Sequence, residues 1–390
     1  MPHRHALALA AALALAAHAA VAQVSLAVDA RTLHYAAEPK GPDDGDRHTF
    51  PAQQDVVMPW VHGGAAGVAA RVNDLLYLRT LHVLAPRAPG ATFTPATLES
   101  LDWRQSIGFT VGRNDGRVLA IELSIVDCGT AHCTLPYRNT LMFDARTGRA
   151  VGLADLFTGH GLDVLRERRN AAAAANYEQL LAALPPEPEP ADPDDDAGAA
   201  PPPAPEASAP RSLYDLATDE EQRTFYQGCL EGWQSSTSSL DVALPAGNGL
   251  SVQSSACAGS SFREREMDSP PGPLALADAE LEPLMTNYGR RLLLGHGNGP
   301  SPADPFEQAL HGHVGTAAVT IYLERPARKY VSGVYAYDRI GRPIALSGEA
   351  KDGTLELRED EHAGFTLRPA GAGFSGTWHG NGKVLPVRLD

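Results

Sequence analysis

The residues of this chain best placed to do chemistry are thiols, imidazoles and aromatic rings. Cys128 and Cys133 bracket His132 in a Cys-x4-Cys loop. An imidazole in so short a loop can contact a ligand, or it can serve the turn by hydrogen-bonding backbone. Cys229 and Cys257 bring the thiols to four, enough for two disulfides or, with His132, for a zinc site; neither pair has zinc-knuckle spacing. His311-Gly312-His313 offers two close nitrogen ligands without an adjacent carboxylate or further histidine to complete a coordination sphere. Tyr335, Tyr337 and Trp378 can line a groove for glycan or peptide, or pack as the core of a sheet. There is no Gly-x-Ser-x-Gly elbow, no His-Glu-x-x-His, no phosphate loop and no dinucleotide fingerprint leading from a strand into a helix. The sequence thus nominates no catalytic residue, no metal site and no cofactor, and leaves His132, Tyr335, Tyr337 and Trp378 as candidate ligand-binding residues.

The compartment bears on the thiols. Residues 1–22 have a basic start at Arg4, a run of Ala and Leu, and Ala20-Val21-Ala22, the pattern of a secretory signal peptide cleaved before Gln23. No later stretch is apolar enough to span a bilayer, so no transmembrane segment is expected in the mature chain. A periplasmic or secreted location favours disulfides, and pairing Cys128 with Cys133 and Cys229 with Cys257 closes each loop within one structural unit. On the loop-entropy argument the two bridges contribute about 2 and 3.5 kcal/mol. The formal charge is −15. Loss of Arg4 makes it −16, and seven acids with no Lys or Arg in residues 185–210 leave −9 for the rest. That balance argues against nucleic acid as a partner and favours a basic one.

The elements that must position these residues follow from periodicity. Asn114-Asp115-Gly116 joins two alternating apolar runs into a hairpin over 103–127, with Ile107, Phe109 and Val111 on one face. The strand Tyr137–Asp144 follows the Cys loop and hands over through Arg146-Thr147-Gly148, where Gly148 can take a positive φ. Before the hairpin come a strand at Val24–Val28 and Val57-Met58-Pro59-Trp60. A helix there carries Val68, Val72, Leu75, Leu76 and Val83 on one stripe, with Arg71, Asn73 and Asp74 outside it. Asn73 is expected as a hydrogen-bonding structural residue. A second helix spans 163–184, and residues 185–210, dominated by Pro, Ala and acid, are expected to be a disordered insertion. A capping box at Thr218–Glu221 opens a third helix with Phe225, Cys229 and Trp233 on one face. Strands around Leu240–Leu244 and Leu250–Val252 turn at Asn248-Gly249, and a short helix with Leu281, Leu284, Met285 and Tyr288 stops at Gly289. Residues 296–305 read as a linker. Residues 306–390 form short strands, Val314–Glu324, Tyr330–Asp338, Ile344–Ala350, Thr354–Glu359, Gly364–Arg368, Phe374–His379 and Val384–Leu389, an antiparallel meander or small barrel.

Thr130-Ala131-His132, Phe143-Asp144, Thr147-Gly148 and Leu153-Ala154-Asp155-Leu156-Phe157 stand in the order of a known motif. With Val72-Asn73 and the Leu-x-Pro-Leu/Met end at Leu281–Met285, they make residues 24–294 resemble an extracytoplasmic domain of unknown function. It is found in lysozyme-sensing anti-sigma factors and beside the catalytic domain of certain peptidoglycan deacetylases. The deacetylase metal ligands lie in a separate domain with a His-x-x-x-His pair. No two histidines here are four apart, so that activity does not carry over. Gly333-Val334-Tyr335-Ala336-Tyr337, Leu346-x-Gly348 and Gly376-Thr377-Trp378 are similar to a domain recurring at the ends of secreted bacterial proteins.

These readings predict an α+β unit at 23–295 with a mixed sheet and helices, followed by an all-β meander or barrel at 306–390. The resemblance and the charge imply a non-catalytic binding or sensing protein, with peptidoglycan or a basic protein such as lysozyme as partner. A cell-envelope hydrolase and a structural envelope protein are the alternatives.

Overall fold

The computed structural model describes residues 26–36, 53–87, 104–127, 137–186, 217–254, 257, 264, 267–325 and 329–390. Residues 1–22, the Cys128–Cys133 loop with His132, and residues 187–210 of the expected insertion lie outside them. The fold is α+β: a mixed sheet with helices, then a closed antiparallel barrel. Contacts group the chain into two units. The first holds the described residues up to Thr158, Ala243–Asn248 and Met285–Asp390; the second holds Gly159–Val242 and Gly249–Leu284.

In the first unit five strands lie in sequence order: β1 (Leu26–Ala36), β2 (Gln53–Gly63), β3 (Arg104–Asn114), β4 (Val118–Asp127) and β5 (Tyr137–Asp144). All neighbours are antiparallel except β2 and β3, which meet in parallel at Val56 and Ile107. A parallel pair needs a crossover, and helix α1 (Val68–Leu81) supplies it. The hairpin turn is held by its own acid. Asp115 Oδ1 accepts from the backbone N–H of Arg117 and Val118, each at 3.0 Å. Burial works against the charged form of Asp115. Those two amides and the Arg113 guanidinium outweigh it and keep its carboxyl below the usual carboxylate range.

Two expectations for α1 need correction. Val83 lies beyond the helix, which ends at His82 in a left-handed conformation (φ 54°). Asn73 and Asp74 are not at the surface; they are 3% and 0% exposed. The cause is packing on both sides. One side of α1 meets the sheet, and the other meets Ala309 and Tyr322 on the outside of the barrel in one continuous apolar core. A one-stripe pattern assumes a single covered face.

The barrel closes in the order β9 (Ala309–Val314), β10 (Ala317–Leu323), β11 (Tyr330–Tyr337), β12 (Pro343–Lys351), β13 (Thr354–Arg358), β14 (Gly364–Ala370), β15 (Gly373–Gly380), β16 (Lys383–Leu389), back to β9. The expected strand Val314–Glu324 is present as β10 but begins only at Ala317; Val314 ends a separate strand, β9, on the other side of the turn at Gly315. The added strand β9 pairs with both β10 and β16, removing both sheet edges. Leu310, Ile321, Leu357, Phe365, Leu367 and Phe374 fill the interior, which is a packed core.

Gly289 does not stop the short helix. The backbone runs on through Arg290–Leu294 as a π-helical turn and reverses at Gly295.

The second unit is built on two helices, α2 (Gly159–Ala183) and α3 (Asp219–Gln234). α2 starts four residues before the expected Asp163. Its alanine tract buries Ala173 and Ala174, letting the helices approach closely around Tyr177, Tyr226, Cys229 and Trp233. The Thr218–Glu221 capping box forms as expected. Arg169, 2% exposed, lies over the Trp233 ring at 5.1 Å and donates to the Ser239 carbonyl at 2.8 Å. Strands β6 (Asp241–Ala243), β7 (Leu250–Gln253) and β8 (Leu274–Leu276), numbered in chain order ahead of the barrel strands, form a small sheet.

Candidate functional site

The region after the Cys loop folds tightly around Asp144. Gly148, at φ 71°, donates its N–H to the Asp144 carbonyl at 2.8 Å, and a Cβ there would stand 2.7 Å from the Val68 carbonyl oxygen. The Asp144 side chain, buried, accepts from the Arg146 amide at 3.0 Å and from the Tyr288 hydroxyl at 3.2 Å. Arg149 donates to the Asp304 carbonyl at 2.7 Å, and Gln308 binds the Ala150 backbone at both N–H and C=O. These groups hold the turn in place by bonding one another.

The structure brings the three aromatic candidates to one end of the barrel. Tyr335 is fully buried, its ring edge-on to Tyr337 at 5.6 Å and to Phe365 at 5.1 Å. Trp378 is 9% exposed and donates its indole N–H to Glu359. Burial, then the Glu359 carboxylate, pushes the Tyr335 phenol far above its ordinary range. This is an aromatic plug around one acid, with Tyr337 its more accessible member.

Of the two histidines at 311 and 313, both outward on β9, His311 Nε2 lies 2.9 Å from Asp74 Oδ2 and is committed to that contact. Among the described residues no group of three or more His, Cys, Asp or Glu stands close enough to hold a metal ion. No helix among them is long and apolar enough to cross a membrane.

An open cleft of about 600 Å³ lies in the second unit. Cys229 and Cys257 are bonded at its floor, with an S–S distance of 2.06 Å and a Cα–Cα distance of 5.8 Å, within ordinary disulfide geometry. Phe225 and Met267 extend the apolar floor, while Glu220, Glu221 and Glu264 form the rim; no Lys or Arg is among its described lining residues. The rim acids sit there because the first turn of α3 carries Asp219, Glu220 and Glu221, a placement the helix dipole favours. Sequence reading found the Phe225, Cys229 and Trp233 face of α3 but not the cleft. Glu264 and Met267 reach it through a chain return that no periodicity marks. An apolar floor under carboxylates can take an aliphatic stem ending in a cation.

Protein-family models, curated proteins and solved structures were compared with this chain, and none matches it.

Proposed function

We propose that this chain is a secreted or periplasmic binding or sensing protein without catalytic activity, acting on a cell-envelope component or on a cationic protein such as lysozyme. The observation that carries the reading is the cleft of the second unit, with Glu220, Glu221 and Glu264 over the Phe225, Met267 and disulfide floor. Lys and Arg side chains of a basic partner suit it, stems on the floor and charges at the rim. The net charge of −15 acts in the same direction at longer range. The Cys229–Cys257 bridge fits an oxidising compartment, and the pattern of residues 1–22 fits export to it.

The test is direct binding of the purified protein to lysozyme and to purified peptidoglycan across a salt series. Binding should be tightest at low salt and weaken through its association rate as salt rises. The double variant Glu220→Lys/Glu264→Lys should weaken lysozyme binding without unfolding the protein. Absence of binding to either probe at low salt, together with turnover of an ester, amide or glycoside, would replace this reading by the hydrolase one.

A further inference from the structure

A groove of about 680 Å³ lies on the outer wall of the barrel, over β11, β12 and β13. Strand register sets its side chains in two rungs. Tyr330 stands opposite Glu349, which stands opposite Glu356; Ser332 stands opposite Ser347, which stands opposite Arg358. Residues paired in this way share one face of the sheet, here the outer one. The two serines are short, so the second rung is low at its centre and the longer side chains stand as walls. Glu324 and Arg325 border the same space.

Two features of this surface are not what the stability of the barrel alone would select. Tyr330 is 60% exposed, although a ring of that size gains more from burial. Glu349 and Glu356 are like charges directly opposite each other, an unfavourable cross-strand pair. Lys329 offsets one of them, with Nζ 2.9 Å from Glu349 and 5.2 Å from the centre of the Tyr330 ring. The side chains of Glu356 and Arg358 have no hydrogen-bond or ion-pair partner among the described residues.

The mixture selects a ligand by exclusion. A phosphate or other anion would meet three carboxylates, Glu324, Glu349 and Glu356. A metal ion or simple amine would meet the guanidinium group of Arg358, beside that of Arg325, which is paired with Asp304 at 2.6 Å. An apolar molecule would find the Tyr330 ring but would cover the carboxylate of Glu356 and the guanidinium of Arg358 without giving either a partner. A neutral molecule dense in hydroxyl groups, with one C–H face, satisfies all of them. Its face stacks on Tyr330 while its hydroxyls donate to Glu356 and accept from Arg358, with the Ser347 hydroxyl serving in either role and the Ser332 hydroxyl already donating to Glu324. We infer that this groove is a saccharide-binding site. A cavity of this size is in the range for a small ligand of a few sugar rings. The inference goes beyond the basic-partner reading and uses none of the residues of the acidic cleft.

The experiment is calorimetric titration of the purified protein with chitotriose, cellotriose and maltotriose, in parallel with lysozyme. Saturable binding of at least one trisaccharide is expected. Tyr330→Ala and Arg358→Ala should each weaken it by about tenfold or more, while Tyr330→Phe retains it. Both positions are exposed, and circular dichroism of the variants will show that the barrel is intact. Two results overturn the inference: no saturable binding up to about 10 mM of any of the three, weaker than a specific site requires, or binding that Tyr330→Ala leaves unchanged. Lysozyme separates the two readings. Lysozyme binding without sugar binding removes only the groove, and sugar binding without lysozyme binding removes only the basic partner.

Discussion

The carboxylate of Asp74, with no exposed surface, lies 2.9 Å from the Nε2 of His311, a residue 237 positions further along the chain. Arg87 completes the arrangement. Its guanidinium donates to both Asp74 oxygens at 2.8 and 2.7 Å and reaches Thr320 at 3.2 Å, and Thr320 in turn donates to Asp338 at 2.7 Å. The network joins α1 to strands β9 and β10 of the barrel. A buried acid is tolerated when its oxygens are occupied, and breaking such a set by removing one member is costly. Asp74→Ala should therefore destabilise the protein by about 3 kcal/mol in urea unfolding. His311→Ala should cost about 1 kcal/mol, because Arg87 still holds the acid. Equal effects of the two variants would show that Arg87 is not the principal partner.

Asn73 and Gln308 act as substitutes for a neighbouring strand. Asn73 accepts from the Val61 N–H and donates to the Val61 C=O, both at 2.8 Å, and Gln308 does the same for Ala150 at 2.9 and 3.1 Å. Each carboxamide satisfies two buried backbone groups that no strand reaches. Asn73→Ala is expected to cost about 2 kcal/mol. Hydrogen exchange at the Val61 amide should accelerate selectively, a readout that a general loss of packing would not give.

Gly289 is required by a close approach and not by its φ, which is an ordinary helical −57°. A Cβ at this position would stand 2.1 Å from the carbonyl oxygen of Leu156, and backbone cannot give way as a flexible side chain can. Gly289→Ala should cost about 1–3 kcal/mol, whereas in an open helix it would stabilise. Thermal unfolding of the variant decides between the two signs.

The Cys229–Cys257 bridge spans 28 positions and contributes about 3.5 kcal/mol by constraining the unfolded chain. The double serine variant should lose that amount and should also loosen the floor of the acidic cleft. Lysozyme affinity measured well below the new unfolding midpoint should fall with it. Unchanged affinity would detach the bridge from the proposed site.

Alkaline pH should unfold the protein through its tyrosines. Burial, then the Asp144 carboxylate, pushes Tyr288 up to about 12 from 10.0; burial, against Arg31, takes Tyr77 to about 12, and burial with Glu307 and Glu324, against Arg79, takes Tyr322 to about 12. A raised folded value means that the neutral ring is favoured in the native state. The stability this brings is complete below the unfolded value near 10 and is lost as pH rises from there through about 12. The urea midpoint should begin to fall near pH 10, and Tyr288→Phe should flatten the decline. A midpoint independent of pH up to 12 would contradict this assignment.

Local chemistry was legible in the sequence. The strand at Tyr137–Asp144, the hairpin at Asn114–Gly116, the capping box at Thr218–Glu221 and the period that put Cys229 on the inner face of α3 each depend on residues a few positions apart. The sequence also carried most of the barrel, because most of its strands alternate and its turns have their own residues. Tertiary structure decided the rest. The burial of Asp74 required a second cover on α1, which comes from a barrel more than 200 residues away in the chain, and that of Asn73 required the Val61 backbone of β2. The missed strand β9 is defined by its partners β10 and β16, not by its own alternation, which His311-Gly312-His313 interrupts. Both candidate sites belong to this class. The acidic cleft needs the return of Glu264 and Met267 to α3, and the barrel groove needs the register that places Tyr330, Glu349 and Glu356 in one rung. Register and chain return are settled by the summed burial of many distant residues. No short window of sequence contains that sum.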